Sequence, residues 1–274
     1  MSKASTPLIL VTNDDGIGSP GLRAVVAAIG DLGQVVVAAP RSQQSGAGRS
    51  MPAYSSGRIF EYSLKVNGAK IAAYAVEGTP AQVVQHAILE LTPRPPDLVI
   101  SGINYGENLG SGITVSGTVG AALEATSFGT IALASSLGVD KKHHLSHSTE
   151  VDFGVAAHFT AHFAGLLLNR RLPFDVDMLK LDVPASATVE TPWRLTRVSR
   201  ERYFMPLAAR EGVLSAPGPI DYECRLDAAR LEPDSDIYAF IEDRVVSVSP
   251  ISFDLTSRAE LAQVDQVLSV NGRE

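Results

Sequence analysis

The chain has 274 residues, 45% hydrophobic and 19% charged, with a formal net charge of −7. That length suits one large α/β domain, or a domain with an appendage, and the composition excludes disordered, fibrous and disulfide-stapled classes. The acidic balance argues against a protein that coats a nucleic-acid polymer, and an acidic protein that binds an anion needs a local cation.

Leu8–Thr12 is a continuous apolar run, the pattern of a strand buried on both faces. It is too short for the core of a signal peptide. Ser19 reads as an N-cap and Pro20 as the first helical position, with Leu22, Val25, Val26 and Ile29 on one helical face. Gln34–Ala39 is a second buried strand, and 40–57 is a Ser-, Gly- and Gln-rich loop. Strands are expected over Ile59–Leu64 and Lys70–Val76. Thr79-Pro80 then opens a helix with Val83, Val84, Ala87, Ile88 and Leu91 inward, stopped at Pro93–Pro96. Asp97–Ser101 is a strand, followed by a Gly-rich loop, a helix over Val119–Ser127 and a strand over Thr130–Ser135. Thr149 is expected to cap a helix running to Asn169, before a strand over Val176–Val183.

Alternating strands and helices specify an α/β fold with a doubly wound, mostly parallel sheet, a Rossmann-like three-layer sandwich. The pattern changes after Pro184. Arg194–Val198, Tyr203–Leu207, Val213–Ala216, Asp236–Ile241 and Val245–Pro250 read as short strands. Thr256 or Ser257 then caps a last helix with Leu261, Val264, Val267 and Leu268 inward. The expected division is an α/β core over 1–184, and over 185–274 a β-hairpin arm and final helix of the kind that reaches a neighbouring subunit. The low-charge stretch 98–139 is broken by Gly, Asn, Ser, Thr, Glu107 and Glu124, so it reads as buried core and not a membrane span. One cysteine, Cys224, allows no intramolecular disulfide and fits the cytoplasm.

In doubly wound sheets ligands bind beyond the carboxyl ends of the strands. Four segments are expected to gather there. Asn13-Asp14-Asp15-Gly16 puts two carboxylates in a turn, where they can converge. Converged carboxylates resist ionisation unless a cation lies between them, and hard oxygen donors select Mg²⁺, Mn²⁺ or Ca²⁺. The same residues are turn formers, so alone the motif is equally a polar turn. The loop Ser42–Gly48 offers hydroxyl and backbone groups. Ser101–Gly110 offers the carboxamides of Asn104 and Asn108, whose oxygen can ligate a metal and whose NH₂ can donate to phosphate. Ser116-Gly117-Thr118 directly precedes a helix, where free N–H groups favour an anion; a simple cap is the plain alternative. No G-x-G-x-x-G follows the first strand, and no P-loop is present.

The segments NDDGIGSPG, SGINYGENLG and SGTVGAALEA, supported by VEGTPAQ and VSPISFDLT, resemble the signatures of the SurE family of 5′/3′-nucleotidases. The resemblance implies a metal-dependent phosphomonoesterase acting on nucleoside 5′- and 3′-monophosphates. It implies one divalent metal per subunit, Mg²⁺ or Mn²⁺ (Ca²⁺ in a crystal), held by Asp14, Asp15, Ser45 and Asn104. Asp14, Asp15 and Asn108 would be catalytic, with Ser116, Gly117 and Thr118 holding phosphate; 1–184 would be the catalytic core, in a homodimer or homotetramer without membrane association whose elements over 185–274 are exchanged between subunits. Three departures are visible: Arg41 stands where an acid is frequent, Lys180-Leu-Asp182 where Asn-x-Asn is common, and Ser252 where His is frequent. A receiver-like or inactive Mg²⁺-binding module is the rival, though no third-strand phosphoacceptor Asp is evident; a polyphosphate-preferring phosphatase is another. His143, His144 and His147 read as a solvated loop, and His158 and His162 as helix residues without a metal.

Overall fold

A computed structural model describes residues 6–208, 210 and 212–269. Strands β1 (Leu8–Thr12) and β2 (Gln34–Pro40) flank helix α1 (Pro20–Ile29). β3 (Ile59–Glu61), β4 (Leu64–Val66) and β5 (Ala69–Val76) precede α2 (Pro80–His86). β6 (Leu98–Tyr105), α3 (Gly117–Ser127), β7 (Ala132–Leu137), α4 (Gly154–Asn169) and β8 (Met178–Val183) complete the alternating part. β9 (Trp193–Leu195), β10 (Phe204–Ala208), β11 (Ile220–Cys224), α5 (Asp236–Ile241), β12 (Val246–Ile251) and α6 (Leu261–Ser269) follow.

The main sheet runs β3-β5-β2-β1-β6-β7-β8-β12-β9, with β4 on β5. From β5 to β8 every neighbouring pair is parallel. β3 and β4 run antiparallel to β5, and β12 antiparallel to β8. The chain winds outward from β1 through β2 to β5, then crosses back to place β6 on the other side of β1. The topological switch point therefore lies between β1 and β6, where such sheets open a crevice beyond the strand ends.

Helices cover both faces. Ile9, Val11, Ile100 and Leu181 pack under α1 and α4 with Leu22, Val25, Phe159 and Phe163. Leu8, Leu10, Val99 and Met178 pack under α2 and α3 with Val83, Val84, Val119 and Ala122. This two-period burial explains why β1 shows no alternation: both sets of side chains are inside. Thr79 caps α2 through a reciprocal capping box with Gln82, as its Thr-Pro start suggests.

Several boundaries differ from the sequence expectation. The strand expected over 59–64 divides into β3 and β4. β6 continues to Tyr105, so Asn104 stands on the strand end, beside a register irregularity between Ser101 and Asn104. α3 starts at Gly117, one turn-fraction before Val119, and α4 starts at Gly154, well past Thr149. Beyond Pro184, Asp236–Ile241 is not a strand but a helix: Ser235 accepts from the Tyr238 N–H, and six residues are too few for periodicity to separate the two forms. Residues 213–216 form a turn, and β10 pairs instead with β11 in a separate antiparallel hairpin. Strand β9 falls at Trp193–Leu195, ahead of the range expected for it. α6 begins at Leu261, beyond Thr256 and Ser257, and its Leu261, Val264, Val267 and Leu268 are exposed instead of inward. β9 and β12 both join the main sheet, so residues beyond 184 contribute to it as well as to the β10–β11 hairpin.

Candidate active site

Asp14 and Asp15 lie in the turn that leaves β1, at the switch point. Asn13 fixes that turn: its Oδ1 accepts from the Gly16 N–H at 3.1 Å, and its Nδ2 donates to the Gly16 carbonyl at 3.0 Å. Gly16 has φ of 100°, a conformation that costs little only without a Cβ. The Gln44 N–H donates to the Asp14 carbonyl at 2.7 Å, and the Ile17 N–H to the Pro40 carbonyl at 2.9 Å. The turn is thus sewn to the loop after β2.

The two carboxylates are buried and held differently. Thr118 Oγ1 donates to Asp14 Oδ1 at 2.5 Å. Gly117 leaves room for Asp14: a Cβ there would fall 2.7 Å from the Asp14 Cβ and 2.8 Å from its Oδ2. Asp15 Oδ2 accepts from the Tyr105 N–H at 3.3 Å, and its Oδ1 from Gln43 Nε2 at 3.3 Å. Burial raises the pKa of Asp14. Burial, and then the Asp14 charge, raise that of Asp15 well above the usual carboxylate range. The same burial and the Asp15 charge push the Tyr105 phenol up to about 12. Among the described residues no Lys, Arg or His side chain pairs with either aspartate.

A buried pair of like charges without a cationic partner is the arrangement a divalent ion relieves. The other donors suit a hard cation. Asn104 commits its Nδ2 to the Gly106 carbonyl at 2.7 Å, which frees Oδ1 as a neutral oxygen donor. Ser45 Oγ accepts from Gln43 Nε2 at 3.0 Å and keeps further lone-pair capacity. Among the described residues no cluster of three or more His, Cys, Asp or Glu offers a metal site, so an ion here would depend on the hydroxyl and amide oxygens beside the two acids.

Asp14, Ser45, Asn104, Asn108 and Ser116 line one cleft of about 440 Å³, whose far wall includes His144, Phe204 and Tyr222 from the hairpin side. A larger hollow of about 1100 Å³ lies past Ser45, against Arg41, Gln43 and Tyr54, but includes neither aspartate. The smaller cleft is the one joined to the chemistry. Within it Asn108 Nδ2 donates to Ser136 Oγ at 2.8 Å, and its backbone N–H to Asp182 Oδ1 at 2.7 Å. Ser116 caps α3 by accepting from the Val119 N–H at 3.1 Å, and its own hydroxyl proton is free to donate. Thr118 differs from the expectation of a phosphate contact. Its hydroxyl is fully buried behind Asp14 and donates to that carboxylate, so it sets Asp14 in place instead of reaching the cleft.

Sequence reasoning missed several participants. Gln43 bridges Asp15, Ser45 and the His144 carbonyl, the last at 2.8 Å; an amide in a polar loop carries no periodic signal. The 143–148 segment is not merely a solvated loop. His147 Nε2 bonds the Asp15 carbonyl at 2.8 Å, and Tyr105 donates its phenol proton to the Ser148 carbonyl at 2.9 Å. His144 is half-buried, bonds Tyr222 Oη at 2.8 Å through Nδ1, and has its pKa lowered by burial. His158 and His162 stay on the exposed side of α4, edge-on to Phe159 and Phe163.

Comparison with known proteins agrees with the segments that carry this site. A family model described as survival protein SurE matches residues 9–205. A protein of Thermococcus gammatolerans described as 5′-nucleotidase SurE is 43% identical over 260 residues, 95% of this chain and 95% of its own. One of Methanosarcina barkeri with the same description is 37% identical over 278 residues, 98% of this chain and 100% of its own. The crystal structure of the Sure protein from Aquifex aeolicus superposes with a TM-score of 0.75 at 28% identity, over 96% of this chain and 100% of that one. With the family match spanning every candidate residue from Asp14 to Thr118, the chain belongs to the survival protein SurE family.

Proposed function

We propose that this protein is a nucleoside 5′-monophosphatase, active also on 3′-monophosphates, that releases nucleoside and inorganic phosphate with one divalent cation per subunit, Mg²⁺ or Mn²⁺. The observation that carries this reading is the buried Asp14–Asp15 pair, lacking any cationic side-chain partner among the described residues, with Asp14 lining a cleft of amide and hydroxyl donors and Asp15 buried directly behind it.

Asp14, Asp15, Ser45 and Asn104 would hold the cation. When bound, it supplies charge neutralisation at the phosphoryl group and a more acidic water. Thr118 keeps the Asp14 carboxylate aimed by donating to Oδ1. Gln43 and the Tyr105 N–H do the same for Asp15. Asn108 offers its second amide proton, Ser116 its hydroxyl and Gly117 its backbone N–H to the remaining phosphate oxygens. These donors are fixed before substrate arrives, so they need not reorganise as charge spreads over the equatorial oxygens. A water attacks phosphorus in line with the ribose oxygen, whose bond to phosphorus breaks; an aspartate carboxylate takes the proton from the water, and that proton is passed to the departing ribose oxygen. Water is the preferred nucleophile because a carboxylate committed to a cation is a weaker one. The nucleoside lies along the wall of His144, Phe204 and Tyr222, where Phe204 and Tyr222 stand edge-to-face at 5.2 Å.

The compartment proposed is the cytoplasm. No helix among the described residues is long and apolar enough to cross a membrane. The assembly proposed is a homodimer or homotetramer in which the segment beyond 184 is exchanged, its exchangeable parts being β10–β11 and α6.

Phosphate release from 5′-AMP, 3′-AMP and p-nitrophenyl phosphate, with Mg²⁺, with Mn²⁺ and with EDTA, tests the reaction. Metal-dependent release, abolished by chelation, is expected. No release with either metal would reject it, and a phosphoenzyme trapped on Asp14 or Asp15 would replace water by a carboxylate nucleophile.

A further inference from the structure

We infer that Lys180, Asp182 and Asp236 act as a buried positioning triad that clamps the Asn108–Gly110 loop against the sheet and so fixes the Asn108 side chain in the cleft. The inference rests on the reading of Asn108 as a phosphate contact.

Three fully buried charged side chains meet beneath that loop. Lys180 and Asp182 are two residues apart on β8 and share one face, while Leu179, Leu181 and Val183 enter the apolar core on the other. Asp236 arrives from the first position of α5. Lys180 Nζ pairs with Asp182 Oδ2 and, at 3.1 Å, with Asp236 Oδ2. Both carboxylates also accept from backbone N–H groups. Asp182 Oδ1 accepts from Asn108 at 2.7 Å, and Asp236 Oδ2 from Gly110 at 3.1 Å. Asp236 Oδ1 accepts from Ser199 and Ile237, each at 2.9 Å.

The result is a two-ended grip on one residue. Ser136 and Asp182 are register partners on β7 and β8. Ser136 takes the Asn108 amide and Asp182 takes its backbone N–H. Gly110 closes the loop where nothing larger fits, since a Cβ there would fall 2.5 Å from the Glu201 carbonyl. Loop N–H groups buried off the sheet ladder need acceptors, and carboxylates give shorter, stronger bonds than neutral groups. Buried ion pairs rarely out-stabilise apolar residues of equal volume, so stability alone does not account for three charges here. Placement of Asn108 does.

The test is a double-mutant cycle with an exchange measurement. Asp182→Ala is expected to lower kcat on the best 5′-nucleotide by about 10–100-fold with KM within about threefold, because Asn108 is misplaced and not removed. In an Asn108→Ala background the same change is expected to cost almost nothing more. In metal-free protein, Asp182→Ala is expected to speed amide exchange across 106–112 by about tenfold or more, with β1 and β2 unchanged. Asp182→Asn keeps volume and one acceptor, and is expected to restore part of the protection and part of kcat; it carries the same cycle if the alanine variant does not fold. Independent, multiplying losses in the double variant, or unaltered exchange across 106–112, would overturn the inference. Wild-type protein inert on every nucleotide would reject the functional reading instead, while the exchange arm would still decide the clamp.

Discussion

Asp14 and Asp15 are chain neighbours with different surroundings, and the difference is testable. Asp15 carries two raising influences, burial and the Asp14 charge. Its folded-state pKa therefore lies above the unfolded value, so the ionised side chain costs stability above that raised pKa and the cost fades as pH falls through it. Asp15→Asn should raise the melting temperature of EDTA-treated protein at pH 8, and the gap to wild type should close on acidification. Each kcal/mol gained would appear as roughly 2–4 °C in a chain of this size. The same variant should lose about a hundredfold or more in kcat, as should Asp14→Asn. Full turnover by either variant, or a lower melting temperature in EDTA, would reject the paired-acid site. The aspartates were legible in the sequence because a polar turn closing a buried strand is conspicuous. Gln43 was not, and neither was the commitment of Thr118 to Asp14, because both depend on how loops far apart in sequence meet.

At the scale of elements, the first turn of α3 is built around a carboxylate. Gly117 is the contact that allows it, and the Gly117 Cβ position is already filled by Asp14. Gly117→Ala must move Asp14 or unwind the turn. We expect a loss of about 1–3 kcal/mol in stability, the range for overpacking, and a fall in kcat as large as that of Asp14→Asn. A crystal structure of the variant with Asp14 unmoved, or wild-type kinetics, would contradict this. The loop carrying His144 gives a second element-scale prediction. Burial lowers the His144 pKa, so the unfolded chain takes up the proton first as pH falls below about 6.5. Stability from this group is complete above that pH and is lost through the window below it. His144→Gln should remove this part, so thermal melting of wild type should fall more steeply than that of the variant between pH 7 and 5. Parallel curves would show that His144 does not carry it. The sequence could not place this loop, since its contacts run to Gln43, Tyr222 and Val139 and follow no period.

For the whole molecule, the parallel core was readable because strands buried on both faces and amphipathic helices each leave a clear period. The part beyond β8 was not. β12 returns antiparallel beside β8, and the face it shares with Lys180 and Asp182 carries Ser247 and Ser249, polar residues bonded to Thr196 at 2.8 and 2.9 Å. A buried polar face looks like surface in sequence, so these residues resemble an appended arm although they complete the sheet. What does stand apart is α6. None of its residues is buried, yet Leu261, Val264, Val267 and Leu268 fall within one arc of the helix, 72%, 41%, 71% and 72% exposed. A contiguous apolar face of this kind in water is usually covered by a partner. If a second copy covers it, Leu261→Glu with Leu268→Glu should place two charges in that contact, and light scattering should show a smaller assembly than wild type at equal concentration. The sheet and the Asp14–Asp15 turn do not depend on α6, so far-UV circular dichroism should be nearly unchanged. An unaltered molar mass would mean that the helix takes no part in a contact between copies of the chain.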